Sequence, residues 1–189
     1  MITAPEAARW AERLGVTREQ IERDHLVSHL LAALPRLDGP DAAFVGGTAL
    51  ARTHLDGLRV SEDIDLLVDD PHDYAPRLQS ELGRLLRRAY PELEIGSAAR
   101  APRDLTLHLT ANAVPSVEVQ LLRREPAEQQ LEYEQRAVSL RYHDLPTSVD
   151  WRVPTAESFV ALKPRPFNRQ PRTGACGQRP SRTLARSPP

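Results

Sequence analysis

Cysteine is almost missing from this chain: Cys176 stands alone among 189 residues, so no internal disulfide can form and no cysteine pair has the spacing of a zinc site. Lysine is as scarce. Of 25 basic residues, 24 are arginine and only Lys163 is lysine. No apolar run approaches the roughly 18 residues of a membrane-spanning helix, which argues against a membrane partner. The opening Met1-Ile2-Thr3-Ala4-Pro5-Glu6 has neither the basic start nor the apolar stretch of a secretory leader, and the expected location is therefore the cytoplasm. Acids are absent from one end: residues 164–189 hold six arginines, six prolines and no Asp or Glu. Residues 1–163 hold all 26 acids against 19 bases, about −7 in net charge, so the near-neutral total hides two unlike parts.

What remains is enough for one ordinary domain with a core and a tail. Ala4 to Leu14 reads as a short amphipathic helix, and Thr17-Arg18-Glu19-Gln20 has the form of a capping box that opens a second. That helix carries Ile21, Leu26, Val27, Leu30, Leu31 and Leu34 as an apolar stripe and ends near Pro35. Ala42 to Val45 is a short buried strand running into Gly46-Gly47, after which Thr48 to His54 is helical. Ile64 to Val68 is a central strand, and Tyr74 to Tyr90 has helical spacing of leucines. Leu105 to Thr110 and Val117 to Leu121 alternate as half-buried strands. Ala137 to Tyr142 and Val149 to Val153 are weaker strands, and Pro154-Thr155 introduces a helix from Glu157 to Lys163. The fold class is α/β, a small mixed sheet flanked by helices.

Chemistry concentrates in two places. Gly46-Gly47 between a strand and a helix lets backbone approach a bulky anion, and the free amides at the helix start favour phosphate; Thr48 adds a hydroxyl. Asp63 and Asp65, two apart on a strand, point to one face and can share a metal ion. Mg²⁺ takes carboxylate oxygens together with substrate phosphates, and such ions serve phosphoryl transfer. Glu118 shares a strand face with Gln120, opposite Val117, Val119 and Leu121, and is the best third carboxylate. Arg59 and Ser61 precede the acids and either bind phosphate or brace the loop. Lys163, the one compact ammonium in an arginine-rich chain, suits a triphosphate. Each feature alone has a bland reading: a tight turn, a solvated acidic strand end, a surface glutamate or lysine. Six histidines show no metal-ligand spacing except His25 and His29, one helical turn apart; with no third ligand near in sequence they read as ordinary helix residues.

Gly-Gly-Thr-x-Leu followed by Arg-x-Ser-x-Asp-Ile-Asp-Leu resembles the signature of the AbiEii/MenT nucleotidyltransferase toxins, members of the DNA polymerase β-like superfamily. The likeness extends to the helix around Ile21 to Leu34 and to Glu157 through Lys163. It implies a DNA polymerase β-like nucleotidyltransferase fold and Mg²⁺ (or Mn²⁺) held by Asp63 and Asp65. It further implies phosphate contacts from Gly46, Gly47 and Ser61, and an NTP contact from Lys163. The implied activity is transfer of NMP from an NTP to an acceptor hydroxyl, the 3′ end of tRNA by resemblance, by a toxin restrained by a cognate antitoxin. On this reading Asp63, Asp65, Glu118 and Lys163 form the catalytic set, while Gly46, Gly47, Thr48, Arg59, Ser61 and Lys163 hold the nucleotide.

The resemblance breaks after Lys163. Related sequences continue the helix into an Arg-Asp-x-x-Asp-like element, whereas here Pro164 and Pro166 interrupt it and Arg172 precedes Thr173. The division expected is a nucleotidyltransferase domain over 1–163, incomplete at its end, and a disordered tail over 164–189, read either as a truncated or frameshifted remnant or as a basic tail that attracts RNA. Three rivals to the active toxin stay open. They are an impaired remnant that only binds NTP or antitoxin, a nucleotidyltransferase with a small-molecule acceptor, and a sugar-nucleotide enzyme, against which the Gly-Gly turn argues.

Overall fold

The computed structural model describes residues 2–37, 42–55, 59–99, 104–112 and 114–162. The tail expected over 164–189, its boundary at 163 and Lys163 itself lie outside the described residues. Thr3 caps α1 (Ala4–Leu14), which stops at Gly15 in the left-handed conformation. The capping box of Thr17 and Gln20 opens α2 (Arg18–Ala33) as the sequence predicts, and a 3₁₀ turn over Leu34–Arg36 takes up Pro35. Then follow β1 (Ala43–Val45), α3 (Gly46–Thr53), β2 (Asp63–Val68), α4 (Pro71–Leu86), β3 (Glu94–Ala99), β4 (Leu105–Ala111) and β5 (Val114–Arg123). The described chain closes with α5 (Pro126–Gln129), β6 (Tyr133–Ser139), β7 (Ser148–Pro154) and α6 (Ala156–Ala161).

Five strands form a mixed sheet in the order β1-β2-β5-β4-β3, with β2 and β5 parallel and the other pairs antiparallel. Register decides which residues share a face. Phe44 pairs with Leu66, Ile64 with Val119, Leu66 with Leu121, and Leu107 with Val119, so these apolar side chains lie on one side. They pack with Leu26, Val27, Leu30 and Leu31 of α2 and with Leu78 and Leu82 of α4 into one core. Complete burial of each such side chain contributes roughly 1.5–3 kcal/mol, which ties both helices to this face. The other face carries Asp63, Asp65, Glu118, Gln120, Thr106 and His108. No helix among the described residues is long and apolar enough to cross a membrane.

Three elements differ from the sequence reading. The strand expected from Ala137 to Tyr142 is displaced to Tyr133–Ser139, because Tyr142 turns into the interior instead of continuing the ladder. β3 has almost no β-branched residues and exists through its pairing with β4, Ile95 opposite Leu109. The helix expected from Thr48 begins at Gly46. The β6-β7 hairpin lies against β1 and α3. Trp151 packs 5.4 Å from Phe44 between ring centres, and its Nε1 donates to the Leu31 carbonyl at 3.0 Å.

Candidate active site

β1 and β2 are antiparallel neighbours with Val45 opposite Asp65, so the turn that leaves β1 begins beside the second aspartate. Gly46 occupies that turn with φ of 77°. A Cβ there would overlap Asp65 Oδ2 and lie 2.9 Å from its Cγ, so the Asp65 carboxylate rests against the bare glycine Cα. Only glycine meets both demands, a positive φ and the space for a carboxylate. Gly47 is different: it is exposed, and the nearest atom to an added Cβ is Arg59 Nη1, 4.0 Å away. The Arg59 guanidinium thus stands beside the first turn of α3, which has no side-chain cap.

Thr48, one residue on, is buried, and its hydroxyl donates to Asp63 Oδ1 over 3.4 Å. The sequence reading aimed this hydroxyl at phosphate; the structure turns it onto the first aspartate. Parallel pairing sets Asp63 beside Glu118 and Asp65 beside Gln120. Neighbouring strands lie about 4.8 Å apart, so the Asp63 and Glu118 side chains project from neighbouring positions on one face. Burial pushes the Asp63 carboxyl above the ordinary range; the Thr48 hydrogen bond opposes this, Glu118 and Glu62 add to it, and Arg59 opposes it. Half-buried acids gathered with this sign of mutual effect suit a divalent cation, and an all-oxygen set matches Mg²⁺ or Mn²⁺.

Behind the acids lies a buried brace. Asp24 of α2 accepts from Arg52 Nη2 at 2.8 Å, from the Ser61 amide at 2.6 Å and from the Tyr142 hydroxyl at 2.7 Å. Arg52 also donates to the Ser61 and Ser28 hydroxyls, each at 3.1 Å. α3 is thus held at its far end by Arg52, while the chain entering β2 is held at Ser61. Ser61 is 4% exposed and takes part in this brace through its amide and hydroxyl. Arg59 is exposed and acts on Asp63 through its charge.

Two features escaped the sequence. His108 of β4 pairs with Glu118, its Nδ1 3.7 Å from Oε1, which adds a basic group at the edge of the acid face. Alternation along β4 gives its face; only the β4-β5 register gives its partner. His25 and His29 do find a third group: both reach Asp144, more than a hundred residues away in sequence. Both are buried, and the shared partner sets them apart from the ordinary helix residues that their spacing suggested.

A family model described as the nucleotidyl transferase AbiEii toxin of a type IV TA system matches residues 29–174. Among solved structures, the chain resembles MenT4, a nucleotidyltransferase toxin from Mycobacterium tuberculosis, with a TM-score of 0.59 and 20% identity over 85% of this chain and 57% of that one. It thus spans little more than half the length of that toxin. Terminal uridylyl transferase 4 from Trypanosoma brucei, with bound UPU, aligns at a TM-score of 0.28 and 16% identity over 56% of this chain and 41% of that one. No curated protein sequence matches the chain significantly.

Proposed function

We propose a reaction for a chain that belongs to the AbiEii nucleotidyltransferase toxin family: transfer of a nucleoside monophosphate from an NTP to an acceptor hydroxyl, with release of pyrophosphate. The observation that carries it is the placement of Asp63, Asp65 and Glu118 on one sheet face, with Asp65 seated against Gly46 where the amides of α3 begin. Asp63, Asp65 and Glu118 are the residues that would hold Mg²⁺ or Mn²⁺. Such an ion neutralises phosphate charge and makes the α-phosphorus a better electrophile.

The chain's own groups account for the rest. Amides at Gly47 and Thr48, the positive end of α3 and the Arg59 guanidinium receive the triphosphate. Lys163 is assigned to the same triphosphate. The acceptor oxygen forms a bond to the α-phosphorus as the bond to the bridging oxygen breaks, and the β,γ-phosphates leave as pyrophosphate. Glu118, partly exposed and beside His108, takes the acceptor proton. Asp24 and Arg52 touch no substrate. They fix the separation of α3 from β2, and with it the fit of phosphate to acid.

For the acceptor we assign the 3′ end of tRNA, and for the partner a cognate antitoxin. A second reading has one observation in its favour: residues 164–189 hold no Asp or Glu, so the Arg-Asp-x-x-Asp-like element that the resemblance implies after Lys163 is not matched there. That reading is an impaired toxin that binds NTP and antitoxin. Radiolabelled NTPs offered with Mg²⁺ and tRNA separate the two, with Asp63→Ala as control. Label on the tRNA 3′ end that disappears in the variant supports the enzyme. NTP binding without transfer supports the impaired form, and label on a small alcohol such as an aminoglycoside moves the acceptor to a small molecule.

A further inference from the structure

Away from the acid face, His25 and His29 of α2 and Asp144 of the segment between β6 and β7 bring three ligand atoms within 4.8 Å of one another. We infer that this group is a second metal site, one that favours Zn²⁺ over Mg²⁺ and ties α2 to the turn bearing Tyr142. His25 Nε2 lies 3.1 Å from each Asp144 oxygen, and His29 Nε2 lies 3.2 Å from Oδ2. Bonds of 2.0–2.1 Å to a tetrahedral zinc put neighbouring ligand atoms about 3.3 Å apart, so the three donors need little movement to close on an ion. Both histidines present the same nitrogen to one point because they stand four residues apart on one helix face.

The surroundings fit. His25 Nδ1 faces the Tyr90 hydroxyl at 2.5 Å, the outer partner that fixes ring and tautomer when Nε2 binds metal. Asp144 is an exposed residue with a side chain 28% open to solvent, which leaves an approach for the ion and a fourth position for water. Two imidazoles and one carboxylate suit Zn²⁺; Mg²⁺ demands oxygen ligands and is left to the acid face. Without metal, the same positions are satisfied by two N–H groups donating to Asp144. Binding therefore moves each neutral ring's proton from Nε2 to Nδ1, where that of His25 faces the Tyr90 hydroxyl.

The consequence reaches the active site through one residue. Tyr142 packs against His25 at 4.8 Å between ring centres and donates to Asp24, which holds the Ser61 amide. An ion at Asp144 clamps the turn that supplies this donor.

The test uses untagged full-length protein, stripped with chelator and kept in excess Mg²⁺ so that oxygen-only sites are filled. The unmodified protein is titrated with Co²⁺, read by visible absorption, and with Zn²⁺, read by calorimetry. One equivalent with the intense spectrum of four-coordinate Co²⁺, displaced by Zn²⁺, is the expected result. His29→Gln and Asp144→Asn, each checked for native circular dichroism, should weaken Zn²⁺ by at least about 100-fold, and Tyr90→Phe by about 10-fold, the lower end of the cost of losing a group behind the ligands. Asp63→Asn should leave Zn²⁺ binding unchanged. Absence of saturable Co²⁺ binding in the unmodified protein overturns the proposal without recourse to any variant. Equal affinity in His29→Gln and Asp144→Asn overturns it as well, because the ion then sits elsewhere.

Discussion

Asp24 and Asp63 are both withdrawn from water, and the protein treats them in opposite ways. Asp24 is fully buried and surrounded by donors: a guanidinium, a backbone amide and a phenol. Asp63 takes one long hydrogen bond from Thr48, stands beside a second carboxylate, and is pushed up in pKa by burial first and by Glu118 and Glu62 after it. A buried charge matched by donors holds structure in place. An acid kept beside other acids costs stability unless a cation arrives, and that is how a binding site differs from a brace. Ser61 and Asp63, two residues apart, belong to these two regimes, so the boundary between scaffold and chemistry runs through this loop.

The sharpest way to break the comparison is to make each aspartate neutral. Asp24→Ala leaves Arg52 buried without its partner and should destabilise the fold by about 3–5 kcal/mol, measured by urea unfolding. Asp63→Asn should cost nothing in stability or slightly raise it, while lowering nucleotidyl transfer by on the order of 10²–10³-fold. An Asp63→Asn protein that unfolds like Asp24→Ala would show that Asp63 is scaffold and sink the assignment.

Next in size is the pair of glycines. Gly46→Ala meets a positive φ and the Asp65 carboxylate together, so about 1–3 kcal/mol of stability and most activity should go. Gly47→Ala meets neither obstacle. It should keep or slightly gain stability, since alanine exceeds glycine in helix propensity by about 1 kcal/mol, and should raise KM for NTP. Equal behaviour of the two variants in both assays would show that the turn is structural only.

This division of labour marks how far the sequence could be read. That Asp63, Asp65 and Glu118 share one sheet face was legible because strand alternation fixes a face; β2, β4 and β5 followed from their apolar patterning, and β1 from a short apolar run. Gly46 and Gly47 could not be told apart, since their difference is one of contact with Asp65 across a strand pair. α2 misled in a specific way. Its apolar stripe was found, but nothing in its spacing marked Asp24, His25, Ser28 and His29 as interior, and they are buried because Arg52, Tyr142 and Asp144 arrive from remote segments to satisfy them. A polar face that becomes interior through long-range partners leaves no periodic trace.

The smallest predicted effect tests where the acid face ends. His108 and Glu118 form a 3.7 Å pair in which both side chains are nearly half exposed. Exposed pairs of this kind are worth at most about 1 kcal/mol, or roughly fivefold in rate. His108→Gln should therefore lower kcat/KM for the acceptor by less than about fivefold if Glu118 is the proton acceptor and His108 only steadies it. Glu118→Gln should lower it by at least about 10²-fold, the lower bound for a general base. The measurement is a double-mutant cycle at saturating NTP. If the His108 loss matched the Glu118 loss and the double variant fell no further, the two would act as one proton-transfer unit, and the catalytic edge would move from β5 out to β4.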